Sequence, residues 1–366
     1  MTEWREQKLS DFMDFNPYTP LSKGIIAKKV TMEKLIPFNR KIQGYEDAVF
    51  SGGTKFKNGD TLVARITPCL ENGKTAYVDF LNDEEVAFGS TEFIVLRAKE
   101  GISDSRFIFY FAISDEFRDI AIQLMSGTSG RQRVDTEALK RKVFTLPPLP
   151  EQKAIAEVLS SLDDKIDLLT RQNKTLEDLA QAYFRKWFIE DASDKWEEIP
   201  LGQLFVISSG KGLKKEKFTE HGQYRVLGAN GEIGKTNEYL FNERLIYTGR
   251  VGTLGNVFIV DREPVWLSDN TLVFRNIKYF FFVYFSLKWA NLADYNVGST
   301  QPLIRQSDIK EIRVFMPDKE RLDSFENLAN SIFAKINSNQ KQIQLLQKLR
   351  DTLLPKLISG EIRVKM

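Results

Sequence analysis

The sequence predicts an α+β chain with two similar globular domains, separated by two long helices that form an antiparallel coiled coil, in a pseudo-two-fold internal repeat. Three observations carry this reading. The 366 residues are written twice, each copy ends in a heptad run, and the two runs agree in length and phase.

The repeat is legible from end to end. WREQKLSDF at Trp4 recurs as WEEIPLGQLF at Trp196, a shift of 192, and MSGTSGRQRVDTEALKRKVFTLP recurs as NVGSTQPLIRQSDIKEIRVFMP, where Pro147 matches Pro317 at a shift of 170. Between them, DTLVARI (60–66) resembles ERLIYTGRVG (243–252), and GSTEFIVLRA (89–98) resembles LSDNTLVFRN (267–276). Their β-branched and aromatic content predicts strands. The chain is therefore expected to divide into a first domain at 1–150, a first long helix at 151–190, a second domain at 191–318, and a second long helix with its tail at 319–366. Pro147, Pro148 and Pro150 stop the preceding strand and let the helix begin just after.

Each helix carries a seam. Ile155, Leu159, Leu162, Ile166, Leu169, Asn173, Leu176, Ala180, Tyr183 and Trp187 follow alternating steps of four and three, the spacing of a coiled coil. Adding 170 to each gives Phe325, Ala329, Ile332, Ile336, Asn339, Ile343, Leu346, Arg350, Leu353 and Leu357. Antiparallel pairing with residue numbers summing to 512 sets Leu169 against Ile343, Ile166 against Leu346, and Asn173 against Asn339. The two polar seam residues then coincide. Paired amides satisfy each other where an apolar partner would strand a buried polar group, so this layer is expected to pin the register. At ~1.5 Å per residue the seam spans roughly 50 Å. A two-fold arrangement of like domains about a spacer suits a ligand that is itself roughly dyadic, as duplex DNA is.

Composition narrows the setting. Fifty-two basic against 50 acidic residues leave a net charge of +2, so any basic patch is local. The single Cys69 and single His221 form neither a disulfide nor a Cys/His metal cluster, which predicts a reducing, cytoplasmic environment. The most apolar stretch, YFFFVYFSLKWA at 279–290, falls short of the ~20 residues a membrane span needs. It reads as a buried helix or strand rather than a base-stacking platform, because no arginine is interleaved.

The helix block LPPLPEQKAIAEVLSSLDDKIDLLTRQNKTLEDLAQAYFRKWF, with its weaker echo ending LRDTLLPKLISGEIRV, resembles the specificity subunit of type I restriction-modification systems. ARITPCLENGK and GSTQPLIRQSDI resemble that family's recognition-domain segments. The resemblance implies two target-recognition domains, each reading one half of an asymmetric split site in double-stranded DNA, with the helices setting the gap and docking methylase subunits. It further implies that two such modification subunits carry S-adenosylmethionine and methylate adenine, that restriction subunits add ATP- and Mg-dependent translocation and cleavage, and that this chain holds no cofactor. One departure stands out: the second helix begins FMPDKERLDSF and lacks the LPPLPEQ form. The main rival is a coiled-coil scaffold whose twin domains bind proteins. A weaker one is a self-contained NTPase or nuclease.

No catalytic constellation supports the weaker rival. ANGEIGKT (229–236) and ENGKT (71–75) miss the first glycine of a phosphate loop and read as turns, Asn72-Gly73 turning a hairpin. Asn16-Pro17-Tyr18 lacks the second proline of an adenine methylase loop, and Pro317-Asp318 has no Glu-x-Lys after it to hold magnesium. DNA contacts are sought instead in basic, glycine-rich stretches: SGGTKFKNG (51–59), SGTSGRQR (126–133), SSGKGLKKEK (208–217) and TGRVGTLGN (248–256). The candidates are Lys55, Lys57, Arg65, Arg131, Arg133, Lys211, Lys214, Lys215 and Arg250. Arg65 and Arg250 occupy similar places in the two halves.

Overall fold

In the computed structural model, which describes residues 3–128 and 130–365, the chain divides into two compact units: Met1–Thr170 with Lys341–Met366, and Arg171–Gln340. Both long helices form, one at Leu149–Arg185 continued by a π turn at Lys186–Glu190, the other at Lys319–Ile358. Each unit therefore takes a part of each helix.

In the first unit a four-stranded antiparallel sheet orders Met13–Phe15, Phe93–Ala98, Thr61–Ala64 and Thr75–Tyr77. A second sheet orders Glu46–Val49, Ile26–Val30, Ala87–Gly89 and Thr54–Phe56, with Ile26–Val30 and Ala87–Gly89 parallel. Helix Ser105–Ile113 starts where the Asp104 side chain accepts a hydrogen bond from the Phe107 amide, and Phe107 to Ile113 are all buried. A helix apolar all round must be covered on every side. Its cover includes Val63, Ile94 and Leu96 of the sheet, Ile155 and Leu159 of the first long helix, and Leu357 and Ile358 of the second.

The second unit repeats the plan. One sheet orders Val206–Ser209, Thr271–Arg275, Arg244–Gly249 and Val257–Asp261, and the other orders Gly231–Thr236, Tyr224–Gly228 and Val265–Leu267, again with its one parallel pair at the equivalent place. The aromatic run forms helix Phe280–Trp289, buried from Phe280 to Leu287 and packed with Ala180, Phe184, Phe325 and Ala329. ANGEIGKT is a hairpin: Ala229 and Asn230 turn, and Gly231–Thr236 is a strand paired with Tyr224–Gly228. In each unit a short antiparallel pair, Arg5–Lys8 with Val143–Leu146 and Glu197–Pro200 with Arg313–Met316, brings the last strand of the domain beside its first. Among the described residues no helix is long and apolar enough to cross a membrane.

The helix segments pair antiparallel within each unit. In the second, Asn339 donates from Nδ2 to Oδ1 of Asn173 at 2.9 Å, while the rings of Phe325 and Trp187 lie 6.2 Å apart, so residue numbers rise on one helix as they fall on the other. In the first, Arg350 donates to Asp163 at 2.8 Å, and Leu169 and Ile343 are both buried. The expected seam fails at one position. Tyr183 is exposed and Phe184 is buried in its place, with its ring 5.7 Å from Phe285 and 6.0 Å from Phe325. Here the face of the helix is chosen by the aromatic helix of its own domain as well as by the partner helix, and the step from Ala180 becomes four rather than three.

Candidate nucleic-acid interface

Arg65 and Arg250 follow the central strands Thr61–Ala64 and Arg244–Gly249 directly, and the backbone holds them identically. The Arg65 amide donates to the carbonyl of Glu92 at 2.9 Å, and its carbonyl accepts from Val134 at 2.9 Å. The Arg250 amide donates to the carbonyl of Asn270 at 2.8 Å, and its carbonyl accepts from Ile304 at 3.0 Å. Two residues on, Thr67 and Gly252 donate to Gln132 and Pro302, both at 3.0 Å. The two arginines are thus equivalent in hydrogen bonding as well as in sequence. In both, Nε is buried and has no hydrogen-bond partner among the described residues. Ahead of Arg250 only glycine fits: a Cβ on Gly249 would lie 2.2 Å from the Thr253 carbonyl.

The surroundings differ. In the first domain Arg133 grips Glu92 with both faces of its fork, Nε at 2.9 and 3.0 Å and Nη2 at 2.7 Å, while Arg65 Nε stands 3.8 Å from the same carboxylate. The hydrogen bonds from Arg133, helped by the charge of Arg65, hold the Glu92 carboxyl below its ordinary range against the opposing effect of partial burial. Arg65 and Arg133 line a polar cleft of about 660 Å³ with Asn16, Ser126, Asp135 and Lys140. Asn16 sits at φ 48° and spends its amide on the Val95 backbone, a structural task. In the second domain the positions matching Glu92 and Arg133 are Asn270 and Leu303, so no carboxylate stands in that place. Arg250 Nη1 instead lies 3.4 Å from Ser209 Oγ, which also accepts from Gln306 at 3.1 Å. Asp135, which caps helix Thr136–Lys140, is matched by Arg305 at the head of Gln306–Lys310, where no side chain caps. A carboxylate, Glu92, thus stands against the arginines of the first site, and the matching place in the second holds the uncharged Asn270.

The remaining candidates are scattered. Lys55 lies on strand Thr54–Phe56 with Nζ 5.9 Å from the exposed Tyr18 ring and 5.4 Å from Phe50. Lys57 is exposed at the following turn, where its amide donates to Asp60. Arg131 is exposed in the loop before Arg133, and Ser129 of that loop lies outside the described residues. Lys211 is tied by its amide to Leu267 and by its carbonyl to the Trp266 indole, at the turn that also holds Arg250 through Asn270. Lys214 and Lys215 are exposed at the start of a separate short turn, Lys215–Lys217. The structure thus gathers Arg65 with Arg133, ties the backbones of Arg250 and Lys211 to neighbouring residues of one turn, and leaves the other lysines apart. Glu92, Ser209, Asn270, Arg305 and Gln306 were not singled out by the sequence, since each lies far along the chain from the arginine it meets or carries no charge run to mark it.

Comparison with known proteins decides the family. A family model described as the type I restriction modification DNA specificity domain matches residues 1–178 and again 193–351. The chain belongs to this family. It is 29% identical to the type I restriction enzyme MjaIX specificity subunit of Methanocaldococcus jannaschii, over 73% of this chain and 71% of that one. It is 23% identical to the HindI specificity subunit of Haemophilus influenzae, over 99% of this chain and 100% of that one. Its fold is similar to the crystal structure of a type I restriction-modification system S subunit from M. genitalium, with a TM-score of 0.61, 22% identity, and coverage of 99% and 96% of the two chains. Such specificity subunits are the DNA-recognition, non-catalytic members of restriction-modification systems, and the protein-scaffold reading is not favoured.

Proposed function

We propose that this chain reads a split, asymmetric site in duplex DNA, the first domain taking one half through Arg65 and Arg133 and the second taking the other through Arg250 and Lys211. The observation that carries the reading is the equivalence of Arg65 and Arg250, one to each repeat, fixed by the same pair of backbone hydrogen bonds. A guanidinium whose backbone is held on both sides suits bidentate contact with guanine or phosphate. The lysines at 55, 57, 214 and 215, with Arg131, would add phosphate contacts that position without specifying. The long helices set the gap between half-sites, with the Asn173–Asn339 layer as their register pin, and dock two modification subunits. S-adenosylmethionine belongs to those subunits, and ATP and Mg to restriction subunits, all acting on chromosomal DNA in the cytoplasm.

Methylome sequencing of a host carrying this subunit with its modification partner tests the reading. The expected result is a bipartite motif. Arg250→Ala is expected to relax one half and leave the other half and the gap intact, each lost bidentate base contact costing about 1–3 kcal/mol of discrimination. Loss of both halves together would refute independent domains.

A further inference from the structure

We infer that Glu92 is a specificity-determining residue of the first domain, its carboxylate filling the guanidinium fork of Arg133 that DNA must otherwise occupy. The inference rests on the reading of Arg65 and Arg250 as DNA contacts, and goes further by assigning the two domains different ways of engaging their half-sites.

Its support is the contrast between two sites that the backbone makes equivalent. Arg133 presents two parallel N–H donors, and Glu92 takes both within 3.0 Å. That is the geometry in which a guanidinium receives a phosphate or the O6 and N7 acceptors of guanine. Glu92 also lies 3.8 Å from Nε of Arg65, so one carboxylate stands against both arginines of the cleft. A structural duty does not account for the carboxylate. The pair is partly exposed, with side-chain exposures of 44% for Arg133 and 24% for Glu92, so solvent screens its contribution to folding. The backbone of residue 92, not its side chain, supports the strand end by accepting from Arg65, and Asn270 performs that task in the second domain without any carboxylate.

Binding in the first domain is therefore an exchange. A phosphate met at random must displace an acceptor of equal charge and geometry, and gains little. A half-site that also offers the remaining contacts of the cleft makes the exchange favourable. Glu92 lowers affinity for all DNA while raising the ratio of specific to non-specific binding, which is the quantity that matters among many competing sites. The second domain has no such competitor at Asn270. It is expected to bind non-specific DNA more readily than the first domain does, while still reading its own half-site.

The test measures binding of the full chain to a duplex pool of randomised sequence at stepped potassium chloride concentrations, for wild type, Glu92→Gln, Glu92→Gln with Arg133→Ala, Asn270→Glu, Arg65→Ala and Arg250→Ala. Glu92→Gln is expected to tighten binding about three- to tenfold at low salt and to steepen the slope of log K against log salt by about 1, the value of one added phosphate contact. Adding Arg133→Ala should abolish that gain. Asn270→Glu should weaken binding and flatten the slope by about 1. Sequences enriched from the pool should lose information in one half only with Glu92→Gln. If Arg65→Ala and Arg250→Ala weaken binding while Glu92→Gln leaves it unchanged or weaker, the DNA-contact reading stands and the role of Glu92 falls. If neither arginine variant alters binding, the contact surface itself is wrong and the inference goes with it.

Discussion

The two units solve the same packing problem with opposite chemistry. In the first, Asp163 of one long helix is buried between Arg350 of the other, at 2.8 Å, and the hydroxyl of Tyr110 on the domain helix, at 2.7 Å. Arg40, itself 7% exposed, joins the network through Asp164 and Asp167. In the second unit the positions matching Asp163 and Arg350 are Phe333 and Ala180. Phe333 packs its ring 4.6 Å from Phe281 and 5.8 Å from Tyr284, and Ala180 is buried in the same core. The helix starts differ likewise. Gln152 is buried and bonds the backbone at Asp104, Ile102 and Pro147, whereas its counterpart Leu322 is buried in the apolar core. Glu151 receives Trp4 and Arg363, while its counterpart Arg321 stacks on Trp196, 5.3 Å from the ring centroid, and donates to the carbonyl of Trp187. The departure of MPDKERL from LPPLPEQ is thus a change of partners at a conserved junction rather than a loss of it.

The contrast teaches that the repeated backbone does not depend on either chemistry. A buried ion pair adds little net stability over well-packed apolar groups, yet removing one partner is expensive. Arg350→Ala leaves the buried Asp163 without its cation and is expected to cost about 3–5 kcal/mol. Hydrogen exchange should show the loss in the helix amides of the first unit, with those of the second unaffected. Replacing Asp163 and Arg350 together by the Phe and Ala of the second unit should cost less than the single change. A double variant worse than the single would mean the two frames are not interchangeable.

The next largest effect sharpens the comparison within the second unit. Asn173→Leu leaves the fully buried Asn339 amide without the acceptor it donates to and is expected to cost about 1–2 kcal/mol, whereas leucine at both positions should regain it while loosening register. Thermal unfolding with cross-linking across the layer reads both outcomes. The smallest effect concerns pH. Burial pushes the Asp167 carboxyl up from its ordinary 3.8, outweighing the charges of Arg40 and Lys41. A carboxyl raised on folding favours the fold when protonated and opposes it when ionised, so its contribution is lost as pH rises through the folded value. Asp167→Asn should therefore raise stability slightly at neutral pH, with the difference closing as the solution is acidified below 3.8.

Much of this was readable in advance because it is periodic. The heptad seam shows at a fixed spacing, and of its twenty positions only Tyr183 lies on the wrong side, displaced by an aromatic helix that no count of threes and fours registers. The equivalence of Arg65 and Arg250 was legible because duplication writes the same strand end twice. The pairing of Glu92 with Arg133 was not, since the two lie far apart in the chain and the second copy has Asn270 and Leu303 in their places. Lys214 and Lys215 attracted notice as a run of charge, but a run shows only that a segment is solvated, not where it faces.

The sequence by itself determined the duplication, the heptad phase and the coincidence of Asn173 with Asn339, because hydrophobic spacing along a helix dictates which residues share a face. Only the tertiary structure decided which charges neutralise which. Whether an arginine meets a serine or answers to a glutamate depends on strands that meet across long stretches of chain, and the Coulomb energy follows distance in space, not separation in sequence.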